Sequence, residues 1–413
     1  MLRLFLRLFG STLVAATLTL MIAMPPSTTA AAPIALGHGM TIITHPGSMH
    51  TRPNAVFHLR GHATCPTGHF LYVNEGNTTN AIQGFVINAD CTLTPTPGSP
   101  YPTGGQEWIG YWAANQIAVS KANGPCVFAT DSGGNGTQGF VDSFTVASTG
   151  ALTEVSHVAI ANGSSNNAAD IHVSADGKYL YAVAAGSTGS LNVLTVGSGC
   201  TLTLTTTLNT PSGSIYEATA LLDSKAIEAV NVYGTIDIYS ITNNTQLALV
   251  SSTHSQVSTP AGAATILKSP IGPLVLNGNL SAAQLEAHTI NSKGMLGSVP
   301  GSPASDSGAT TTANLFFDPS LAQVTATEQF NGNQFANSMG IFGAKSGQLA
   351  LLNHVALPNS YFPTAQAELG SELYITNELG SSVEACAMTH GSATCSLATT
   401  FSGGVIVQGI GVL

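Results

Sequence analysis

Asp170, His172, Glu217, Arg60 and Asn314 are the residues whose types and spacing could do chemistry in this chain. The stretch DIHVSADGK (170–178) matches EATALLDSK (217–225) position for position, which stacks Asp170 on Glu217. Extending the alignment puts Arg60, Ala264, Asn314 and Pro363 in the same column. His58 and His172 fall two residues from it and share its face in a strand, because strand side chains alternate with a period of two. Three readings fit, two of them chemical. A carboxylate beside a histidine can activate water against a carbonyl carbon, with Arg60 stabilising the developing oxyanion. Asp170, Glu217 and Asn314 also offer the hard oxygen atoms that Ca²⁺ takes, although no calcium-loop motif supports that cofactor. In the third reading the acids are hydrated strand ends with no catalytic role.

Other residues are less specific. Six histidines lie between His38 and His69, and His58 and His62 are four apart, but no carboxylate stands among them, so no metal site is predicted. Trp108 and Trp112, in QEWIGYWAAN, are the only tryptophans. They could stack on a sugar ligand, or pack between structural units.

The elements that must position these residues repeat. Strands start near Phe70 (FLYVNEGN), Cys126 (CVFATDSG), Tyr179, Ala226 (AIEAVNVYG), Pro273 (PLVLNGN), Gln323 (QVTATEQFNG) and Glu372 (ELYITNELG), 47 to 56 residues apart. Each is followed by a polar turn and a second strand (AIQGFVIN, GFVDSFTV, SLNVLTVG, TIDIYSIT, QLEAHTIN, NSMGIFGA, SVEACAMT), then a shorter one. A further strand precedes each start, such as DIHVSA before Tyr179. The strands are rich in Val, Ile, Thr and aromatics and bounded by Gly, Asn, Ser and Asp. Seven units of four strands predict an all-β fold, a seven-bladed β-propeller of four-stranded antiparallel blades. A parallel β-helix is the rival, but its coils are shorter and lack this four-strand order. The tail GGVIVQGIGVL (403–413) alternates like a strand, and the head MTIITHPGSMH (40–50) precedes the first unit. One terminus is expected to supply a strand to a blade formed mostly from the other, and the sequence leaves open which.

With the units written out, SADGKYLYAVAAG resembles the strand–turn–strand signature of YVTN-type repeats. VNEGNTTNAIQGFVINADCTLTPTPGSPYPTGG resembles a unit of bacterial lactonase-like propellers, the seven-bladed relatives of 6-phosphogluconolactonase. The resemblance covers most of residues 56–402 and weakens in the fifth and sixth units; the Trp-Asp marker of WD-type propellers is absent. It implies a propeller with a polar central channel. Some relatives open lactones and others have no established chemistry, so the fold does not settle function.

Composition narrows the rest. Charged residues are 7% of the chain, against roughly 25% in ordinary soluble domains, and net charge is −10. With ten Lys and Arg in all, no basic patch exists, which excludes nucleic acid as a partner. The same scarcity argues against a phosphorylated sugar lactone, whose phosphate needs several Arg or Lys. Arg3, Arg7, an apolar run from Phe9 to Met24 and PPSTTAAAP read as a signal peptide cut near Ala30 to Ala32. This gives a signal at 1–32, an N-terminal segment with a potential closing strand at 33–55, and the propeller at 56–413. The mature chain is expected to be periplasmic or secreted, with no membrane span. Six cysteines behind a signal favour disulfides. Cys386 and Cys395 flank one turn; Cys65–Cys91 would leave Cys126–Cys200, and Cys91–Cys126 is the alternative. Low charge and sparse channel chemistry favour a non-catalytic binding or surface-interaction module, whose partner is a small molecule, a glycan or a surface protein. The alternative is a lactonase-like hydrolase opening an uncharged lactone in the channel.

Overall fold

The computed structural model describes residues 33–36, 40–43, 64–76, 80–105, 116–132, 138–160, 167–185, 189–210, 216–222, 225–231, 234–257, 260–266, 273–279, 282–331, 334–345, 348–401 and 406–413. The chain divides into two units, 1–61 and 62–413. In the first, the described part is one antiparallel hairpin, Pro33–Leu36 paired with Met40–Ile43.

The second unit is a seven-bladed β-propeller of four-stranded antiparallel blades. Blades 2 to 7 each take their inner strand first: Ile117–Ser120, Asn167–Val173, Tyr216–Leu222, Pro260–Ile266, Leu315–Asp318 and Pro363–Leu369. Blade 1 differs. Its second to fourth strands, Phe70–Gly76, Ala81–Ile87 and Leu93–Pro95, begin the propeller, and its inner strand is the C-terminal Ile406–Val412. The C-terminal strand therefore closes the ring. Leu71 pairs with Val412 and Asn74 with Gly409, and Phe70 and Leu413 exchange backbone hydrogen bonds of 3.0 and 2.8 Å.

A four-stranded sheet with two apolar faces cannot be stable alone, and here each gap between blades holds an apolar cluster. Tyr72 and Ile82 of blade 1 meet Val127 and Phe144 of blade 2. Leu276 and Leu285 of blade 5 meet Val324 and Phe342 of blade 6. Across the closing seam, Val73 and Phe85 of blade 1 meet Tyr374 and Val383 of blade 7. The outer strands of blades 1 and 5 are each broken by the same tetrapeptide, Pro-Gly-Ser-Pro, at 97–100 and 300–303. In both, the serine hydroxyl replaces a ladder partner: Ser99 Oγ accepts from Gly84 N–H and Ser302 Oγ from Ala287 N–H, each at 2.9 Å.

All six cysteines are bridged. Cys65–Cys91 lies within blade 1, Cys386–Cys395 crosses adjacent strands of blade 7, and Cys126–Cys200 ties blade 2 to blade 3. The Cys91–Cys126 alternative is not the one formed.

Gly409 shows how tightly the closing strand is seated. A Cβ there would lie 2.8 Å from Gln116 Cβ and 3.0 Å from the backbone nitrogen of Ile117. Gly409→Val should therefore force the inner strands of blades 1 and 2 apart and destabilise the protein by about 1–3 kcal/mol, the usual scale of overpacking. Thermal melts read this directly; an unchanged melting temperature would mean the seam tolerates the side chain.

Candidate functional site

The inner strands carry Asp170 and His172, with Asn314 just before one of them, but the register of the predicted column fails in several blades. Asp170 pairs with Val183, and the ladder has a bulge between Ala168 and Asp170. In blade 4 the residue at the same height is Ala218, paired with Val230, and Glu217 sits at the bulge one residue earlier. Asp170 and Glu217 are thus not stacked. The turn after Leu221 is one residue shorter than the turn after Val173, since Leu221 pairs with Ile227 but Val173 with Leu180. An alignment on the turn lysines slips by that residue, and in a strand a one-residue slip changes the face.

Asn314 does share Asp170's height, because Ala313 and Asn314 together face Thr327 across a bulge. Ala264 and Pro363 do not: Ala263 and Ala365 take those places. Arg60, His58, Trp108 and Trp112 lie outside the described residues. The inner strand of blade 1 is Ile406–Val412, so the position given to Arg60 in the column belongs to Gly409. The side chain of Glu217 is likewise outside the description.

The structure does bring Asp170 and His172 together. Asp170 is fully buried, and its Oδ2 accepts from the backbone N–H of Thr219 at 2.6 Å and from the Thr219 hydroxyl. His172 Nε2 lies 3.2 Å from Asp170 Oδ2 and 2.9 Å from the carbonyl oxygen of Thr219. Both neighbours are acceptors, so Nε2 holds the proton and Nδ1 is the basic nitrogen of the neutral ring. Burial pulls the imidazole pKa down, but the Asp170 charge and the two hydrogen bonds outweigh it, and the net shift is upward. The His172 side chain is 22% exposed. The result is a histidine with a fixed tautomer, tied by a buried carboxylate to the next blade.

A second set of polar groups escaped the column analysis. The third strand of each blade carries a polar residue or a glycine at a matching position: Gln83, Asp142, Asn192, Asp237, Glu286, Gly340 and Glu384. These positions ring the end of the propeller where the second strand turns into the third. Several hold the incoming connector from the preceding blade. Glu286 accepts from Ser255 Oγ at 2.5 Å and Gln256 N–H at 2.8 Å, while Glu384 accepts from Asn359 N–H at 2.9 Å and Ser360 Oγ at 2.8 Å. Burial raises the Glu286 carboxyl, but His288, Ser255 and Gln256 outweigh it and hold it below the usual range. The signal was present in sequence as an acid or amide three or four residues into six of the seven second quoted strands, with glycine in NSMGIFGA.

Blades 2 and 6 add a histidine from the outer strand. In blade 2, His157 Nδ1 meets Asp142 Oδ1 at 2.5 Å, beside Asp131. In blade 6, His354 Nδ1 lies 2.9 Å from Asp306 Oδ2 and 3.4 Å from Glu328 Oε2. Burial and the facing Asp142 raise Asp131; burial likewise raises Asp142 against the pull of His157. Burial, then Asp306, push Glu328 up to about 9.

The described lysines avoid this end. Lys121, Lys178, Lys225 and Lys293 sit in turns at the opposite end, and Lys345 ends its strand there. The antiparallel meander places the first and third turns of each blade together, away from the third-strand ring.

No protein-family model matches the chain, and no curated protein matches it in sequence. Solved structures do match in fold. A candidate 6-phosphogluconolactonase from Bacteroides uniformis superposes with a TM-score of 0.64 at 13% identity, covering 84% of this chain and 100% of that one. One from Bacteroides fragilis gives 0.61 at 13%, covering 84% and 98%. The periplasmic gluconolactonase of Pseudomonas aeruginosa gives 0.60 at 15%, covering 83% and 96%. The chain thus has the propeller fold of 6-phosphogluconolactonase-like proteins.

Glu228 yields a test of the buried acids. It is fully buried, and neither carboxylate oxygen has a hydrogen-bond partner. Burial, then the charge of Glu286, push it well above the ordinary carboxylate range. Below about pH 4.5 the folded and unfolded chains both hold this proton; above it the unfolded chain loses the proton first, so stability falls as pH rises toward the folded pKa. Glu228→Gln removes this loss. Calorimetric melts from pH 5 to 8 should fall less steeply for the variant, which melts higher at pH 8; parallel curves would count against a protonated Glu228.

Proposed function

We propose that this protein hydrolyses a neutral lactone, with His172 as the general base oriented by Asp170. The observation that carries the reading is the tautomer fixed at His172: both Nε2 neighbours accept, which leaves Nδ1 to take a proton from water. The hydroxide equivalent adds to the carbonyl carbon, the ring C–O bond breaks, and the leaving alkoxide recovers the proton. A partly exposed histidine held by a buried carboxylate has the right protonation chemistry near neutrality.

The likeness to folds named as lactonases supports hydrolysis over the non-catalytic binding module that composition alone favoured. The scarcity of cations supports a neutral substrate. The chain carries ten Lys and Arg in all, too few to gather the several that a phosphate needs. The three disulfides and the N-terminal sequence support action in an oxidising compartment, the periplasm or outside the cell.

The test is hydrolysis of uncharged γ- and δ-lactones by the mature chain, with 6-phosphogluconolactone as comparison. Turnover should be confined to the neutral lactones. His172→Gln should lower kcat/KM by about 10²–10⁴-fold, the usual worth of general base catalysis. In the parent, kcat/KM should rise with pH through a pKa above the ordinary 6.5 of histidine, and His172→Gln should lose that limb. Turnover indifferent to His172→Gln would remove the histidine from the mechanism. No turnover across the panel would return the protein to the binding-module reading.

A further inference from the structure

The clusters in blades 2 and 6 are the same arrangement built twice. His157 pairs across the sheet with Asp142, and His354 pairs with Gly340 at the matching position. Asp131 and Glu328 likewise match on the second strands, five residues after Cys126 and Gln323. The third strand departs from the match: where blade 2 has Asp142, blade 6 has Gly340. A Cβ on Gly340 would lie 2.9 Å from Glu328 Oε1 and 3.3 Å from Asp306 Oδ2. Asp306, from the connector before blade 6, thus puts its carboxylate into the space a third-strand side chain would fill. Gly308 makes room as well, since a Cβ there would strike the His354 ring at 2.6 Å.

Each cluster sets two buried carboxylates against each other and one histidine. Asp142 and Glu328 are fully buried, and Asp142 Oδ2 and Glu328 Oε1 have no hydrogen-bond partner. Glu328 Oε1 points into the space above Gly340 that Asp306 shares. Asp131 makes no hydrogen bond of good geometry, with Thr103 and the Gly105 backbone beside it. Facing carboxylates in a low-dielectric interior need a proton or a cation between them.

We propose that Asp131, Asp142 and His157 in blade 2, and Asp306, Glu328 and His354 in blade 6, form two sites for a divalent transition ion of the zinc type. In each group the ligand atoms lie within 4.8 Å of one another. Small side-chain rotations bring them to the roughly 3.3–3.6 Å donor spacing of a tetrahedral ion with bonds of about 2.0–2.2 Å. Two carboxylates balance the ion's charge, and the imidazole nitrogen selects against Ca²⁺ and Mg²⁺, which take oxygen. The histidine side chains are 38% and 34% exposed, so the fourth position faces solvent and takes water. Ser338, whose hydroxyl donates to Glu328 Oε2 at 2.9 Å, orients that ligand.

The experiment is Zn²⁺ titration of the chelator-stripped, disulfide-intact mature chain by calorimetry, with Co²⁺ absorption as a second readout. Two equivalents sensitive to these side chains are expected. His157→Gln and His354→Gln should each remove one, and together both, with the Co²⁺ bands halved and then lost. Loss of an outer-shell partner costs roughly 10–100-fold in affinity, so loss of a ligand should exceed that. Both histidines are partly exposed, and circular dichroism checks the fold; Asp306→Asn, on a connector, gives an independent route to the blade 6 site. Zinc bound in undiminished amount by the double histidine variant would place it elsewhere, the histidine-rich N-terminal segment included, and overturn the proposal. Absence of binding tighter than about 100 µM (~−5.5 kcal/mol) in the parent would overturn it too, leaving a shared proton between the carboxylates.

Discussion

Everything in this propeller depends on the pairing of Ile406–Val412 with Phe70–Gly76. Each blade is apolar on both faces and is covered only by its neighbours, so an open ring would leave two faces wet. The closing pair is made of backbone hydrogen bonds between segments more than 300 residues apart, and it forms only when the six intervening blades are in place. That makes the fold cooperative around the whole circle. It also explains the close seating of Gly409 against Gln116 and Ile117: the last strand must enter a slot whose far wall, blade 2, already exists.

Within that ring, polar groups do the work that charged surface does elsewhere. The acids of the third strands are buried, and their partners are serine and tyrosine hydroxyls, backbone N–H groups and histidines. A carboxylate that accepts two such bonds, as Glu286 and Glu384 do, fixes the connector arriving from the preceding blade. Asp170 does the same on the inner strand, joining blade 3 to Thr219 of blade 4. The groups that fasten blades together are therefore also the groups with the chemistry. His172 and His354 are attached to residues that join one blade to the next, Asp170 and the connector residue Asp306, while His157 is held by Asp142 within blade 2, which gives all three a fixed orientation without a dedicated loop scaffold.

Much of the fold was legible in sequence because a repeat of about fifty residues carries its own alignment. Seven strand starts, the turn residues and the four-strand order came from periodicity alone, and the Cys386–Cys395 bridge from local spacing. The inner column was harder. Asp170 and Asn314 were correctly levelled, but Glu217, Ala264 and Pro363 were not, because turn length varies by one or two residues and each step moves a strand residue to the other face. Arg60 failed for a different reason: the inner strand of blade 1 comes from the other end of the chain, which no local alignment shows. The blade 6 cluster was hidden further, since Asp306, Glu328 and His354 come from three segments and Gly340 erases the repeat at the position that matters.

The distribution of charge then gives the two ends of the propeller different roles. Turns that carry Lys121, Lys178, Lys225 and Lys293 gather at one end, while the third-strand acids Asp142, Asp237, Glu286 and Glu384 lie toward the other. Most of those acids are too deeply buried to act as a plain negative surface, and burial drives Glu328 and Glu228 toward their neutral forms. Among the described residues an anionic ligand finds no Lys or Arg there, and a cationic one finds fewer charges than the sequence suggests. What that end offers is a set of oriented, partly desolvated proton acceptors backed by rigid strands. Such an end suits a neutral polar molecule or a small cation that enters between carboxylates, and both are ligands that a surface with so few charged side chains can hold without attracting nucleic acid or phosphate.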